Sequence, residues 1–325
     1  MKYTIFGESH GSAIGVVMTG VSAGLELDMD FILSEMARRR GGQNALSTAR
    51  SEADIPEILS GVFEGKTTGT PLCAIIRNND TRSKDYSQLK VCPRPSHGDY
   101  AGSVRYNGCN DYRGGGHFSG RLTAPLVFAG AVAKLLLKQH SVEISSQISM
   151  VGGVEDPTQA QLEQVVLSAK AEGDSVGGAI SCTVTGLPAG FGAPDFGCNV
   201  EGIFSQHLFA VPAVKGVSFG AGFGFAHMRG SQANDPFYME NGQVKTRTNH
   251  AGGINGGITN GMPITFEVAI RPTPSISKEQ ETVNLSTGEN AKLTINGRHD
   301  PCIVPRALPV IEAAAALATC EVLGL

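Results

Sequence analysis

This sequence of 325 residues has little charge imbalance, few paired cysteines and few long apolar runs. The 26 basic and 30 acidic side chains give a net charge of −4, which argues against a general nucleic-acid-binding surface. Only 17% of the residues are charged, 41% are apolar and none is tryptophan, a composition typical of a folded globular enzyme. Any anionic ligand must therefore be bound by a local cluster of arginine side chains.

The seven cysteines are odd in number and include no C-x-x-C pair, which argues against a disulfide framework or a zinc knuckle. No H-x-x-x-H or acidic-triad spacing appears, so we expect no metal site. The start, MKYTIFGESHG, has no apolar run of signal-peptide length, and no segment approaches the length and purity of a membrane span. These absences predict a cytoplasmic protein that binds neither membranes nor nucleic acid.

Glycine, in contrast, is abundant. The 42 glycines follow no repeat period and indicate tight turns or close approach of the backbone to a ligand. Apolar spacing and turn residues predict a mixture of strands and helices. The expected elements are a hairpin of residues 2–6 and 14–21, a helix at 31–40 capped by Asp28 or Asp30 and ended by Gly41, strands at 61–63 and 72–76, and helices from Thr123, from Asp156-Pro157 and over 307–323.

Residues 78–121 are rich in Asn, Asp, Arg, Gly and Pro, which predicts that they are almost all loop, and a loop of this length is usually functional or disordered. The ending T-G-[V/L]-x-A-G occurs twice, within residues 14–24 and again within residues 178–190. This weak repeat suggests two related halves packed about a pseudo-twofold axis. Because no linker separates them, we expect a single domain over residues 1–325.

Gly7-Glu8-Ser9-His10-Gly11 matches G-x-S-x-G, the nucleophile elbow of serine hydrolases. The elbow requires a strand, a sharp turn and then a helix, whereas the residues after Gly11 are valine-rich and strand-like. No late histidine follows a plausible acid in the order that the triad needs. The alternatives are a plain hairpin turn or a turn that directs Ser9 and His10 at a ligand.

Three further stretches concentrate histidine, arginine and glycine. PRPSHGD places Arg94 and His97 in a proline-framed loop, and GRHDPCIVPR combines Arg298, His299, Asp300 and Arg306. DYRGGGHFSGR puts three glycines before a helix, which predicts an anion cradle with Arg113 and Arg121 at its rim. Each stretch also has a structural interpretation: a flexible turn, an Asp that braces an Arg, or, for the Arg38-Arg39-Arg40 run, cations at a helix end. Together they suit a small polyanion, with histidine as proton donor or acceptor.

Ten motifs in order resemble the chorismate synthase family and cover the chain from residue 3 to its last helix. They are GESHG, RRRGGQ, SGVFEGKTTGTP, ND-x-RSKDYS, PRPSHGD, DYRGGGHFSGR, VPAVKG, AGGINGGITNG, RPTPSI and GRHDPCIVPRA. The resemblance implies an α/β fold of the α+β type, a β-α-β sandwich of two pseudo-symmetric halves, assembled as a homotetramer. It also implies a lyase that converts 5-enolpyruvylshikimate 3-phosphate to chorismate and phosphate, the last step of the shikimate pathway. The reaction would be an anti-1,4-elimination that requires reduced FMN (FMNH2) without net redox change.

The resemblance assigns catalytic roles to five residues. His10 matches the histidine that protonates the departing phosphate or keeps it monoanionic, and His97 the one that protonates the reduced flavin. Asp300 matches the acid that takes a proton from flavin N5, with Ser9 and Ser119 relaying or orienting that proton. Ser9 is then a helper at a flavin site and not a nucleophile.

Binding roles follow in the same way. No G-x-G-x-x-G follows a strand, so an NAD(P)H-dependent reductase is not visible within the chain, and an external flavin reductase would supply FMNH2. Phosphate and carboxylates of the substrate would contact Arg39, Arg94 and Arg121. Flavin contacts would fall on His117, Phe118, Ser119, Pro212, Ala213, Gly256, Arg271, Pro272, Thr273, Pro274, Ser275 and Arg298.

Several positions depart from the family pattern. Ser96 and Gly98 stand where Gly and Ala are usual, and Phe118 and Gly120 stand where small residues, often Ser and Ala, are commoner. Leu122 replaces a usual Glu, and Ala45 replaces a second Arg, so that Arg50 would have to cover part of its phosphate contact. The competing hypothesis from another class is a catalytically impaired flavin- or phosphate-binding paralogue. Such a paralogue would be expected to lose His10, His97 or Asp300, and all are present.

Overall fold

A computed structural model of the chain describes residues 1–42, 52–79, 88–295 and 299–325. Ala45, Arg50 and Arg298 lie outside the described residues, as does most of the ND-x-RSKDYS motif. Two antiparallel sheets enclose a layer of helices, because α3 contacts strands of both sheets while α7 contacts the second. The strands are β1 (Lys2–Gly7), β2 (Ala13–Thr19), β3 (Glu57–Ser60), β4 (Val62–Phe63), β5 (Lys66–Thr67), β6 (Leu72–Arg77), β7 (Glu143–Val151), β8 (Val154–Glu155), β9 (Gly178–Thr185), β10 (Val214–Phe219), β11 (Phe237–Glu240), β12 (Gln243–Thr246), β13 (Ile254–Asn255), β14 (Ile258–Thr259), β15 (Ile264–Ile270), β16 (Gln280–Asn284) and β17 (Glu289–Leu293). The helices are α1 (Met29–Arg39), α2 (Gly98–Arg105), α3 (Thr123–Gln139), α4 (Gln159–Ala171), α5 (Val200–Phe209), α6 (Gly230–Ala233) and α7 (Val304–Val322).

The predicted N-terminal hairpin and first helix are confirmed. β1 and β2 pair antiparallel around the GESHGS turn, and alternate residues of β2 are fully buried because strand side chains point to opposite faces. In α1, the Asp28 side chain accepts a hydrogen bond from the Phe31 amide, which satisfies one of the free donors of the first turn. Ile32 and Met36 of α1 are buried, so the helix packs one apolar stripe against the core.

The prediction that residues 78–121 are almost all loop is wrong. The described residues of this stretch include α2 and 3-10 turns at 88–90, Arg113–Phe118 and Gly120–Leu122. Helix α2 contains Gly98 and Gly102, which lower its intrinsic propensity, but both glycines are needed because the Phe118 ring packs against their Cα atoms. The helix expected from Asp156-Pro157 begins later, at Gln159, because Thr158 and Gln161 form a capping box.

Helices α3 and α7 run side by side through the core and are buried on nearly all faces. A Cβ atom at Gly130 would lie 2.2 Å from the Cβ of Ala313, so only glycine allows this close approach. The prediction that no segment has the composition of a membrane span is wrong for Gly120–Gln139, which is long and apolar enough. That segment is 83% buried inside the fold, as expected for a core helix.

The expected pseudo-symmetry extends to strand order. The first sheet has the order β1-β2-β6-β3, and the second has β7-β9-β15-β10 with β8 added at its edge. In each half, two sheet strands are followed by a helix (α1 or α5), then by two further sheet strands and finally by a core helix (α3 or α7). The family-like β-α-β sandwich of two similar halves is therefore confirmed.

The correspondence continues at single hydrogen bonds. The Thr67 side chain donates to the Ser22 carbonyl and accepts from the Leu25 amide, and Thr259 makes the same two bonds with Pro188 and Phe191. Thr67 belongs to the β4–β5 hairpin and Thr259 to the β13–β14 hairpin, so these two hairpins are equivalent. The sequences around them, GVFEGKTTGTP and GINGGITNGMP, are a second internal repeat that was not recognised from the sequence.

Candidate active site

A cavity opens where equivalent helix ends of the two halves meet. The C-terminal ends of α1 and α5 border it, together with the N-terminal ends of α3 and α7. Helix N-termini carry partial positive charge and unpaired amide groups, so two of them directed at one cavity favour an anion. The cavity is lined by Arg39, Arg40, Gly41, Glu52, Asp54, Arg94, Gly114, Ser119, Gly120, Arg121, Thr123, Val211, Pro212, Thr273, His299, Asp300, Ile303, Arg306, Ala307 and Val310.

The first half supplies a cationic wall. Arg39 and Arg121 are both buried, and each forms an ion pair with one carboxylate oxygen of Asp54. Burial, together with Arg306 and Arg121 nearby, lowers the pKa of Arg39 to about 9, although Asp54 opposes this shift. Arg39 therefore stays charged at neutral pH in surroundings that favour additional negative charge.

The second half supplies a largely apolar wall, made by Val211, Pro212, Ile303 and Val310 around Thr273. Asp300 also lies here, 2.5 Å from Nη1 of Arg306, whose Nε donates to the Arg39 carbonyl. The interpretation of Asp300 as a brace for an arginine is therefore confirmed, and the same carboxylate faces the cavity.

The three glycines of the GGG run bring the two histidines against the backbone. Cβ atoms at Gly114 and Gly115 would lie 2.2 Å from the His10 ring and 3.1 Å from the His97 ring. All three glycines have positive φ, which other residues rarely adopt. The expected anion cradle is wrong in one part: Arg113 does not border the cavity but forms a bidentate pair with Asp111.

His10 and Ser9 are buried behind Gly114 and do not themselves line the cavity. Ser9 Oγ lies 3.1 Å from His10 Nδ1 and donates to the carbonyl of Gly114 or Arg113. The strand following the turn is β2 and not a helix, so the hydrolase elbow is absent. A serine held by backbone carbonyls and an adjacent imidazole orients that imidazole.

His97 lies in the second basic stretch, beside Arg94 and Asp99. The Asp99 carboxylate accepts from Nε of Arg94 at 2.7 Å and lies 2.6 Å from Nδ1 of His97. Arg94 lines the cavity, but its guanidinium is held by Asp99 and by the hydroxyl of Ser275. Asp99 was not singled out from the sequence, although its position two residues after His97 was a usable signal.

The remaining predicted site residues fall into three groups by position. Ser119, Pro212 and Thr273 line the cavity, and Ser275 contacts it through Arg94. His117, whose Nδ1 lies 2.9 Å from the Gly7 carbonyl, and Phe118, which packs on α2, stand outside the lining. The others outside it are Ala213, Pro272 and Pro274, which adjoin lining residues, Arg271, whose guanidinium donates to the Ser96 carbonyl, and Gly256, which lies in the turn of the separate β13–β14 hairpin.

Two departures from the family pattern compensate each other. Phe118 stands where small residues are commoner, and Gly98 stands where Ala is usual. A Cβ atom at Gly98 would lie 2.8 Å from the Phe118 ring, so the larger ring requires the smaller residue. Ser96 adopts a φ of 59°, the left-handed conformation that explains why Gly is usual there.

Besides Oδ2 of Asp54, which is ion-paired with Arg39, three buried polar atoms around the cavity have no hydrogen-bond partner among the described residues. They are Nε of Arg39, Oγ1 of Thr273 and Nε2 of His299. Burial and the nearby Arg94 lower the pKa of His299, so its ring is neutral at pH 7. Unpaired buried groups are costly and unusual, and their concentration at one cavity indicates that a ligand completes them.

Within the described ranges, no group of three or more His, Cys, Asp or Glu side chains could hold a metal ion.

Comparison with known proteins decides the family. The model of the chorismate synthase family matches residues 1–323. The chain belongs to the chorismate synthase family. Curated chorismate synthases from Thermococcus gammatolerans and Dehalococcoides mccartyi are 45% and 46% identical to it, over 96% and 99% of this chain and 93% of each relative. A crystal structure of chorismate synthase superposes with a TM-score of 0.76 at 27% identity, covering 99% of this chain and 91% of that one.

Membership of the chorismate synthase family makes this chain an enzyme, a lyase of the shikimate pathway that acts on a small molecule. The match extends over the motifs that supply both the cationic wall and the apolar wall of the cavity. Asp54 and Glu52 of the cavity were not anticipated. Only the residues next to Asp54 in the sequence could have indicated a role at the site, because its partners Arg39 and Arg121 are far away in the chain.

Proposed function

We propose that the enzyme converts 5-enolpyruvylshikimate 3-phosphate to chorismate and phosphate by anti-1,4-elimination, with reduced FMN as cofactor. The observation that carries the proposal is the division of the cavity into a cationic wall and an apolar wall. The substrate bears one phosphate and two carboxylates, which need paired cations when they leave water. A flavin ring needs a flat apolar surface with a few polar contacts.

The cations have the number and placement for this substrate. Arg39 and Arg121 border the cavity beside Arg40, and the N-termini of α3 and α7 point to the same place. Asp54 already neutralises part of this charge. An incoming phosphate can therefore share Arg39 and Arg121 with Asp54, or replace its carboxylate, without leaving an unpaired buried charge.

The apolar wall and the unpaired atoms fit a flavin. Thr273 Oγ1 and His299 Nε2 are polar atoms beside Pro212 and Ile303 that have no hydrogen-bond partner in the part of the chain that the structure describes. These residues, with Ser119, would hold the cofactor. Reduced FMN, when bound, supplies electron density that assists the loss of phosphate without net redox change.

The protein's own part is to exclude water and to hold protons at stated atoms. His10, oriented by Ser9 through Nδ1, keeps the departing phosphate protonated, and His97 provides a proton at Nε2. Asp300 accepts a proton, and its bond to Arg306 keeps the carboxylate at the cavity. Ser119 lines the cavity where it can orient that transfer.

Further parts of the proposal concern the setting of the enzyme. We place it in the cytoplasm as a single-domain chain that assembles as a homotetramer, with FMNH2 supplied by an external flavin reductase. Large apolar side chains exposed on the second half, among them Phe223, Phe237 and Met239, support assembly because soluble monomers rarely expose such groups together. Size-exclusion chromatography with light scattering tests the oligomeric state.

The deciding experiment is an anaerobic assay of the purified chain with 5-enolpyruvylshikimate 3-phosphate and chemically reduced FMN. Chorismate and phosphate should appear in equal amounts, and neither should form with oxidised FMN. Tight flavin binding without either product would contradict the proposal and would favour the impaired paralogue, with Ala45 and Phe118 the first positions to revert.

A further inference from the structure

Asp99 lies at the centre of a hydrogen-bonded group that the known motifs leave unassigned. Its side chain is almost fully buried, in the first turn of α2. It accepts from the Arg94 backbone amide at 3.1 Å and from Nε and Nη2 of Arg94 at 2.7 and 2.8 Å. It also lies 2.6 Å from Nδ1 of His97.

These contacts keep Asp99 ionised. Burial alone would raise the pKa of this carboxyl, but the hydrogen bonds from Arg94 and His97 hold it well below its usual range. The partial positive charge of the α2 N-terminus acts in the same direction. A carboxylate that is ionised and buried needs donors on both oxygens, and Arg94 and His97 supply them.

The distances decide which ring nitrogen of His97 carries the proton. At 2.6 Å from a carboxylate oxygen, Nδ1 must donate, since its lone pair would otherwise face a negative oxygen. Nη2 of Arg94, which carries two hydrogens, also lies 3.1 Å from Nδ1 and donates to Asp99 at 2.8 Å, but the 2.6 Å contact with Asp99 is the shorter one at Nδ1. Nδ1 is thereby held by Asp99, and Nε2 is the nitrogen left to exchange a proton.

The opposite edge of the ring faces Gly115. A Cβ atom there would lie 3.1 Å from Cε1 and 3.3 Å from Nε2 of His97, so the missing side chain leaves this edge open toward the GGG run. Gly114, the preceding residue in the chain, lines the cavity. Ring orientation is therefore set on one side by Asp99 and left unobstructed on the other by Gly115.

We infer that Asp99 is a positioning residue for His97, fixing the tautomer with Nδ1 protonated and directing Nε2 to the active site, and that Arg94 acts mainly by anchoring Asp99. The inference rests on the proposed role of His97 as a proton donor. It assigns Arg94 a supporting task instead of direct substrate binding, because its guanidinium is committed to Asp99 and Ser275.

The test combines a spectroscopic and a kinetic measurement on the full chain. The tautomer of His97 is determined from long-range proton–nitrogen correlations of protein labelled with ¹⁵N-histidine, with a His97→Gln sample to assign the signal. Asp99→Asn removes the carboxylate but keeps the shape, and its amide can donate to Nδ1. We expect loss of the Nδ1-protonated form and a fall in kcat of about 10²- to 10⁴-fold, the scale seen when the acid behind a catalytic histidine is amidated.

Two further variants separate positioning from folding. Glu57→Gln is the control, because Glu57 makes a bidentate pair with Nε and Nη2 of Arg77 and is not among the residues that line the cavity. It should keep the His97 signal and turnover within a few-fold. Asp99→Glu keeps the charge and should restore the Nδ1-protonated form and part of kcat, while KM for the substrate changes little in either Asp99 variant.

Each outcome has a distinct meaning. A wild-type ring without a proton on Nδ1, or an Asp99→Asn protein with unchanged tautomer and turnover, would overturn the inference. The wild-type spectrum decides even if the Asn variant fails to fold. A third outcome separates the two proposals. If the wild-type ring is protonated on Nδ1 and this changes in Asp99→Asn, but the protein makes no chorismate, the positioning role is supported and the proposed function is refuted.

Discussion

The β4–β5 and β13–β14 hairpins are alike in their threonine hydrogen bonds, yet the halves to which they belong contribute different chemistry to the cavity. The first half provides Arg39, Arg94 and Arg121 and the turn that holds His10, whereas the second provides an apolar surface around Thr273, beside His299, Asp300 and Arg306. The framework is conserved between the halves in strand order and hydrogen bonding. Chemical function therefore resides in the connections and helix ends, which a repeated framework leaves free to differ.

This difference between the halves has a physical advantage for the proposed reaction, which brings together two unlike ligands. A polyanion and a planar ring require surfaces of opposite character within a short distance of each other. The cavity brings a cationic surface and an apolar surface together at the meeting point of α3 and α7. The predictions below alter one half, the joint between the halves or the shared framework.

The largest effect is expected from removing a proton-holding group of the first half. His10→Ala should lower kcat by about 10²-fold or more, the usual loss for an acid-base group. His140→Ala is the control, because His140 is exposed at the end of α3 and far from the cavity. Steady-state assay of both variants with reduced FMN is the measurement, and near-normal turnover of His10→Ala would remove it from its role.

The joint between the halves is a buried ion network. Glu312 of α7 accepts from Arg38 of α1, from Lys134 of α3 and from Ser146 of β7. Replacing it by Gln leaves Arg38 and Lys134 without their full partner and should lower the free energy of unfolding by about 3 kcal/mol. Chemical denaturation at pH 7 gives this value, and a loss below about 1 kcal/mol would mean that the network behaves like a surface pair.

The same residue predicts a pH dependence. Burial alone would raise the pKa of Glu312, but hydrogen bonds from Arg38, Lys134 and Ser146 lower it to about 2, against 4.5 in the unfolded chain. Its contribution to stability is therefore complete above about pH 4.5 and is lost as the pH falls toward 2. Thermal unfolding of wild type and Glu312→Gln should converge over this acidic interval, and a constant difference down to pH 2.5 would contradict the assignment.

In the second half, Thr273→Val tests the unpaired hydroxyl of the apolar wall. The variant should raise the stability of the ligand-free protein by about 1 kcal/mol, because it removes an unsatisfied buried group. It should weaken FMN binding about tenfold, the value of one lost hydrogen bond. Thr282→Val is the control, since Thr282 donates to the Pro93 carbonyl at 2.6 Å and its loss should be destabilising. Calorimetry with and without FMN separates the two effects.

The smallest effects concern the equivalent hairpin turns. Glu64 has a φ of 48° and Gly256 a φ of 61°, so the same left-handed position is held by a different residue in each half. Glu64→Gly should raise stability by up to about 1 kcal/mol and Gly256→Ala should lower it by a similar amount. Thermal unfolding measures both. If Gly256→Ala also weakens FMN binding beyond this change, the hairpin reaches a flavin in the assembled enzyme.

Much of the local structure could be predicted from the sequence. The β1–β2 hairpin, the Asp28 cap and the core helices follow from apolar periodicity and turn residues, which act over a few positions. Helix α2 could not, because its two glycines are explained only by Phe118, which approaches from a later part of the chain. The Asp54 carboxylate was missed for the same reason, because its partners Arg39 and Arg121 come near it only in the fold. Asp99 is different, since its partners Arg94 and His97 are close to it in the chain and gave a usable signal.

The meeting of equivalent helix ends at one cavity has a consequence for symmetry. If two identical subunits formed this site on a twofold axis, every side chain would appear twice, and an arginine on one wall would require an arginine on the other. Joining the halves in one polypeptide removes that restriction, so position 39 can be arginine while the corresponding end of α5 carries Val211 and Pro212. The single chain can therefore place chemically different residues on the two walls of a site that two identical subunits would make symmetric.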